Sequence, residues 1–346
     1  MFVISAVLGI LSAFVGTLIG FMVPHEEQNA LNGLHGYNGF LVGVGMGIFD
    51  TEIVLNDSPW QQLLLLLVPM LLTTVFCSLI HFSIRRTFAS PAFTFAYNIA
   101  LSCWLALAVS LGEDSLFFPM FVSSKIAPRN PARIEYPNVS FGWFVECVLG
   151  GVGQVFFAPE FVPSILVTCG LAIGSPISAL LALGGSLVGT LLAVLTHGTQ
   201  WQTELGLDGL SAVLAAIGLG GFYFVPSVWS MVFAILSSGC CFAARHVFSG
   251  LFVRPEGPAM TLPFCVVATI FFHAQLALTV PRPVPARLLE SAEQHWLARR
   301  RAVQVVGKLL HNEPLADEEA KCMSVWPDLV AVHYKQPASS ANTSFV

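Results

Sequence analysis

Long apolar runs separated by short polar breaks dominate the pattern of this chain. Nine runs approach the length of about 20 residues that a helix needs to cross a hydrocarbon core. They lie near residues 1–23, 31–49, 60–81, 91–111, 161–175, 177–196, 207–224, 228–248 and 260–280. A shorter, glycine-rich run at 144–158 predicts a re-entrant half-helix with its backbone buried in protein. The pattern therefore predicts an all-α polytopic membrane protein with about nine transmembrane helices and one half-helix.

Composition supports the membrane assignment and excludes several functions. Charged residues make up 10% of the chain and hydrophobic residues 55%, against about 25% charged in ordinary soluble proteins. The net charge of −5 is spread thinly, so we expect no nucleic-acid partner. Of the eight cysteines, only Cys322 lies in a polar segment, and no pair has zinc-ligand spacing. Neither a nucleophile elbow nor a carboxylate pair stands in the apolar runs, so we expect no cofactor and no enzyme.

Polar segments indicate how the chain is oriented. The first run lacks a basic leader, so it is interpreted as a transmembrane helix of a multi-pass protein of the cell membrane. Arg85, Arg86, Arg282 and the run 299–301 would be cytoplasmic by the positive-inside rule, whereas Arg245 contradicts it. The segment 113–140 carries the sequon at Asn138, which predicts an outward loop and a candidate glycosylation site, although sequons also occur by chance. The polar tail contains an amphipathic stretch at 284–310, which favours a cytoplasmic interfacial helix.

Three blocks recur in the same order along the chain. Residues 14–18 resemble 187–191 and residues 33–41 resemble 206–214, at offsets of 187 − 14 = 173 and 206 − 33 = 173. Residues 91–97 resemble 258–264, at an offset of 258 − 91 = 167. Each unit then holds five spans, an odd number, so the two repeats are expected to be inverted relative to each other. Paired repeats place a substrate site at their interface near the bilayer midplane.

The repeat also sets expected domain boundaries. Residues 1–112 form the first membrane repeat, 113–140 the extracellular linker loop, 141–281 the second repeat and 282–346 the cytoplasmic tail. The counterpart of Gln154 would fall at 154 − 173 = −19, before Met1. The first repeat as given is therefore N-terminally incomplete, and we expect either a longer protein or the loss of the first half-helix and span.

The repeated blocks resemble the urea transporter family. The motifs are Gly-Val-Gly-Gln-Val-Phe at 151–156, Gly-Leu-His-Gly-Tyr-Asn at 33–38 with Leu41, and two Pro-x-x-Thr blocks that end at Tyr97 and Phe264. The similarity extends over about residues 6–275. It implies two inverted five-span halves, a homotrimer with one pore per subunit in the lipid bilayer, and passive, channel-like flux of urea or a similar small neutral amide.

The resemblance also implies roles for single residues. Thr94 and Thr261 would flank the pore centre, Gln154 would stand at one mouth, and Val155 would be its neighbour. The narrow pore would be lined on its two flat sides by apolar side chains, called the apolar plates below, from Tyr37, Leu41, Leu210 and Leu214. The chain departs from the family at Leu210, which replaces the usual phenylalanine, at Ser211, which replaces asparagine, and at Ala96, which stands where the second repeat has Pro263.

The chemistry of these positions suits a flat, uncharged solute. Urea needs hydrogen-bond partners along its edges, which threonine hydroxyls supply, and it tolerates apolar walls. No charged residue lies deep in the pore blocks, which argues against an ion-coupled pump. His35, His81 and His273 suggest an ammonium relay, but their spacing gives no shared helix face. The alternatives left open are an ammonia or ammonium channel and a transport-inactive membrane interaction protein.

Overall fold

The computed structural model describes residues 2–23, 30–49, 59–88, 91–111, 132–135, 139–251, 260–278, 280–284 and 289–311. The helices in these segments are α1 (Phe2–Met22), α2 (Leu34–Phe49), α3 (Pro59–Phe88), α4 (Phe95–Leu111), α5 (Phe141–Gly153), α6 (Phe161–Gly174), α7 (Pro176–Leu195), α8 (Gln200–Glu204), α9 (Leu207–Ile217), α10 (Val228–Leu251), α11 (Leu262–Leu278) and α12 (Ala292–Leu310). A 3₁₀ turn, Gln154–Phe156, follows α5, and a π-helical turn, Gly218–Phe222, follows α9. Asn138 lies outside the described residues.

Several of these helices are suited to a membrane. Among the described residues, α1, α3, α7 and α10 each contain an apolar stretch of spanning length. Helix α5 with its 3₁₀ turn meets α6 at a bend of 71°, as in a broken span or a re-entrant loop. Shorter apolar helices cover Phe95–Leu107, Leu207–Phe222 and Leu262–Leu278. The protein is thus an all-α, multi-pass membrane protein, as predicted. The count of nine spans and the domain boundaries stay predictions.

Helix packing follows the repeat found in the sequence. Helix α1 packs against α2 and α3, and α7 packs in the same way against α9 and α10. Helix α4 contacts α2 and α3, and α11 contacts α9 and α10. The correspondence therefore pairs α1 with α7, α2 with α9, α3 with α10 and α4 with α11.

The backbone repeats the same details at the same offset of 173. Gly33 and Gly206 precede α2 and α9 with φ of 75° and 67°, a left-handed conformation that glycine adopts without strain. A Cβ on Gly16 of α1 would press against the carbonyl oxygen of His35, and a Cβ on Gly189 of α7 would press against that of Asp208. These glycines allow each helix pair to approach backbone to backbone.

Equivalent positions of the two halves carry different buried polar pairs. In α3 and α10 the matched residues differ by 164, as in Thr74 with Ser238 (238 − 74 = 164), Cys77 with Cys241 and His81 with Arg245. His81 lies against His35, with ring centroids 4.6 Å apart, although the sequence indicated no shared helix face. Their counterparts, Arg245 and Asp208, form a buried ion pair. One fold position therefore holds a histidine pair in one half and a salt bridge in the other.

The C-terminal helix α12 is attached to the second half at several points. The buried residues Ala292, His295, Ala302 and Val305 lie on one helical face, as its amphipathic pattern requires. The His295 Nδ1 atom lies 2.8 Å from the carbonyl oxygen of Gly221, so that nitrogen donates, and Nε2 accepts from the Glu290 N–H at 2.8 Å. Upstream, the Val284 N–H donates to the Tyr223 carbonyl at 2.9 Å.

Glu293 of α12 forms the most polar of these attachments. Its carboxylate accepts hydrogen bonds from Ser175 Oγ and from the Ile177 N–H, both at 2.6 Å. The Ile177 N–H is one of the free backbone donors at the start of α7, where a negative charge is favourable, and Ser175 is the residue that caps this helix. Burial alone would raise the pKa of Glu293, but the hydrogen bonds from Ser175 and Ile177 outweigh it, so this pKa is lowered.

Candidate functional site

Thr94 and Thr261, the last residues of the two Pro-x-x-Thr motifs, meet at the interface of the halves. Thr94 immediately precedes α4 and Thr261 immediately precedes α11. Both side chains are buried, and their hydroxyl oxygens lie 2.7 Å apart, so they share a hydrogen bond. At this distance no solute fits between the hydroxyls.

Asn98 holds this hydroxyl pair in place. Its Nδ2 donates to Thr261 Oγ1 and to the Thr94 carbonyl, each at 2.8 Å. Its Oδ1 accepts from the Thr261 N–H at 3.1 Å. The asparagine of the first half thus anchors both the main chain and the side chain of the second half's threonine.

Cys265 is the counterpart of Asn98 in the second half, since 98 + 167 = 265. Its Sγ lies 3.1 Å from Thr94 Oγ1. The sequence analysis selected neither Asn98 nor Cys265. A signal was available, because each residue stands four positions after its threonine and therefore lies on the same face one helical turn later.

Phe93 and Met260, the residues before the two threonines, each pack against the opposite half. Their φ angles of 46° and 43° lie in the left-handed region that side chains disfavour. Phe93 packs into the apolar core of the second half beside Phe264, and Met260 packs against the first-half core that contains Leu41. Such backbone strain costs on the order of 1–3 kcal/mol per residue and persists only where surrounding packing enforces it.

The predicted apolar plates come from separate parts of the interface. Leu41 is fully buried in the first-half core, and Tyr37 packs against the same core. Leu210 and Val155 share a second-half cluster, and Leu214 contacts both this cluster and the core around Phe93. The structure therefore brings the two threonines into direct contact and distributes the other predicted residues over the flanking cores.

The 3₁₀ turn after α5 brings Gln154 beside the first half. Phe156 of this turn lies edge-on to the Tyr37 ring, with centroids 6.4 Å apart. Gln154 Oε1 is buried without a hydrogen-bond partner, as are the Tyr37 hydroxyl and Ser211 Oγ. Buried polar atoms are usually paired, and the described residues hold further unpaired ones, among them the Tyr97 hydroxyl and Trp104 Nε1, so these three do not mark a site by themselves.

The hydrogen-bonding side chains around the threonine pair are uncharged in the described segments. They are Asn98 and Cys265. Within the described segments, no group of three or more histidine, cysteine, aspartate or glutamate side chains could hold a metal ion. The site thus offers hydroxyl, amide and thiol groups between apolar cores.

Comparison with known proteins identifies the family. The family model described as "Urea transporter" matches residues 3–276, which is most of the chain. The chain belongs to the urea transporter family. Relatives include urea transporter 1 of Rattus norvegicus, 26% identical over 80% of this chain and 69% of that protein. Urea transporter 1 of Mus musculus and that of Ovis aries are each 25% identical over 80% of this chain, covering 69% and 68% of their own lengths.

The urea transporter match contains the whole threonine site. It begins in α1 and ends at residue 276, inside α11, so α12 lies beyond it. The buried hydroxyl pair and its asparagine therefore belong to the family region of this urea transporter homologue, whereas the attachments of α12 do not.

Proposed function

We propose that this chain is a passive, channel-like transporter of urea or a similar small neutral amide. The observation that carries the proposal is the buried hydroxyl pair of Thr94 and Thr261, held by Asn98 at the interface of two repeats in a urea transporter family member. On this proposal the protein is a membrane transporter and not an enzyme.

The site chemistry suits a solute that must lose water without being held tightly. Each threonine hydroxyl donates one hydrogen bond and accepts others, so the pair can exchange partners with an amide edge. The pair's hydrogen-bonding side-chain partners, Asn98 and Cys265, carry no charge, which favours an interaction weak enough for release. An ion-coupled pump would need an ionisable group at this place.

The unpaired polar atoms of Gln154 and Tyr37 extend the proposed path toward one mouth. Gln154 Oε1 and the Tyr37 hydroxyl can bond the N–H groups or the carbonyl of an amide that passes the mouth. Leu41, Leu210 and Leu214 would form the apolar walls that its flat faces contact. Val155 holds the turn of Gln154 by packing into the cluster that contains Leu210.

The test is urea flux into proteoliposomes that contain the purified chain, followed by stopped-flow light scattering. Thr261→Val keeps the shape of the side chain and removes the hydroxyl, so urea flux should fall at least tenfold. Thr269→Val is the matched control, since that hydroxyl bonds only its own helix, at the Cys265 carbonyl. Equal flux in wild type and Thr261→Val would remove Thr261 from the path.

A second arm separates the proposal from an ammonium channel. Methylammonium uptake should stay at the level of empty liposomes while urea enters. Methylammonium uptake without urea flux would contradict the proposal. An absence of both fluxes would favour a transport-inactive protein.

Gln154→Leu tests the mouth independently of the centre. Urea flux should fall, because the buried amide oxygen is lost while the turn is retained. Gln304→Leu, at an exposed position on α12, is the control. Unchanged flux in Gln154→Leu would show that this amide does not serve the permeant.

We further propose a homotrimer with one pore per subunit and two inverted halves. Family membership supports the assembly, and exposed apolar side chains on α6, α7 and α10 provide surface for lipid or for neighbouring subunits. Native mass spectrometry from mild detergent should show three chains per particle. A monomer at all concentrations would contradict the trimer.

A further inference from the structure

A groove lies beside the start of α10, outside the threonine site. Its volume is about 320 Å³. The lining residues that bear on its chemistry are Ser227, Trp229, Arg282, Trp296, Arg299 and Arg300. They come from the start of α10 and the residue before it, from the segment after α11 and from the first half of α12. The groove thus exists because α12 is docked against the second half.

The polar lining of the groove is strongly basic. Arg282, Arg299 and Arg300 contribute three guanidinium groups, and none of the ten lining residues is acidic. Arg300 lies over the Trp296 ring at 5.2 Å, a cation–π contact that limits its freedom. Guanidinium groups bind phosphate through paired N–H donors, so this arrangement favours a phosphate group over a carboxamide or a cation.

The start of α10 adds to the positive potential. This helix spans 24 residues, and Ser227, the residue before it, lines the groove. The Ser230 N–H donates to Ser227 Oγ at 3.2 Å, which fixes this helix end against the groove. The N-terminus of a long helix carries a partial positive charge that attracts anions.

The position of the groove indicates where its ligand comes from. The apolar span of α10 begins at Val228, next to Ser227, so the groove lies at the level where that helix enters the membrane. Trp229 and Trp296 are 56% and 43% exposed, and such tryptophans lie at the interface between water and lipid. A phosphate at this depth is the headgroup phosphate of a phospholipid, and basic pockets at helix ends bind such headgroups.

We propose that this groove binds the phosphate of an anionic phospholipid headgroup. The three arginines follow residue 276, where the family match ends. The lipid would bridge α10, the segment after α11 and α12, and would hold the C-terminal helix on the membrane surface. The proposal does not depend on which solute the threonine site conducts.

The test compares lipid binding by the purified full chain in neutral detergent. Mixed micelles with phosphatidylserine are titrated against mixed micelles with phosphatidylcholine, and retained lipid is counted by native mass spectrometry. Wild type should retain phosphatidylserine in preference to phosphatidylcholine. The double variant R299Q/R300Q should lose roughly thirtyfold in apparent affinity, since each arginine near an anionic surface contributes about fivefold.

Arg301→Gln is the matched control, because Arg301 neighbours the groove residues in sequence, is exposed and does not line the groove. It should bind phosphatidylserine like wild type. Equal binding by wild type, R299Q/R300Q and R301Q would overturn the site, as would equal losses in both variants. An unchanged elution profile of the double variant shows that it is folded.

A bound phosphate group could belong to a lipid headgroup or to a free anion, and inorganic phosphate distinguishes these two sources. Millimolar phosphate added with phosphatidylcholine micelles should not raise the melting temperature of wild type. An increase that R299Q/R300Q abolishes would assign the groove to a free anion and would overturn the phospholipid assignment.

Discussion

Asn98→Leu removes the polar groups that join the two threonine turns while keeping the branched shape of the side chain. The variant loses the hydrogen bonds from Nδ2 to Thr261 Oγ1 and to the Thr94 carbonyl, and the one from the Thr261 N–H to Oδ1. The Thr94 carbonyl keeps a partner, because it also accepts from the Asn98 main-chain N–H at 3.0 Å. Thr261 Oγ1 keeps its bond to Thr94. The Thr261 N–H is left without its acceptor.

The magnitude follows from these contacts. Three lost hydrogen bonds, two to Thr261 and one to the Thr94 carbonyl, cost about 1 kcal/mol each, and an unpaired buried N–H adds about 1–3 kcal/mol. The total is roughly 4–6 kcal/mol before the interface relaxes. This loss is concentrated at the contact between the halves, so we expect the hydroxyl pair to lose its fixed geometry and urea flux to fall at least tenfold.

The assay combines the apparent melting temperature in detergent with urea flux in proteoliposomes, for Asn98→Leu, Thr261→Val and the double variant. If Asn98 acts by positioning Thr261, Asn98→Leu should reduce flux much less in the Thr261→Val background than in wild type. Ser102→Leu, at an exposed position one turn further along α4, is the control for an added leucine. Independent, multiplicative effects on flux would refute the positioning role, and so would an unchanged melting temperature in Asn98→Leu.

Three further predictions concern other parts of the molecule. Arg245→Met should destabilise the protein by about 3–5 kcal/mol because it leaves the buried carboxylate of Asp208 without its cation, seen as a lower melting temperature. Because the pKa of Glu293 is lowered, its stabilisation of the α12 attachment is fully present above the ordinary glutamate pKa and is lost as the pH falls through the lowered pKa. Protection of the α12 amides from exchange should therefore decrease in that acidic interval and stay constant at higher pH. In a secretory host, Asn138→Gln should abolish any glycan shift on a gel without lowering the melting temperature. Ser140→Ala should abolish the glycan shift and also lower the melting temperature, because Ser140 Oγ caps α5. An unchanged melting temperature in Ser140→Ala would contradict the capping role.

The threonine pair shows how much of the site the sequence repeat could predict. Blocks at matching offsets pair Thr94 with Thr261, and the structure places the two hydroxyls in contact. The same offset pairs Asn98 with Cys265, but asparagine in an apolar helix commonly bonds within its own helix. Only the packing of α4 on α11 shows that Asn98 reaches across to the other half. The pore roles of Gln154 and of the apolar plates stay predictions.

The sequence by itself determined that lipid surrounds the chain, that its elements are α-helices, which family it resembles and that its blocks occur twice. These properties are local or periodic: a charge-poor run of spanning length must be a helix in lipid, and a duplicated block repeats its own turn geometry, as Gly33 and Gly206 show. Only the tertiary structure decided that Phe93 packs into the core of the second half and Met260 against that of the first. It also decided that His35 contacts His81 where the other half has a salt bridge, and that α12 forms one wall of a basic groove. Those outcomes depend on which side chains of distant helices share the same space, and helical periodicity fixes the face of a residue without fixing its partner.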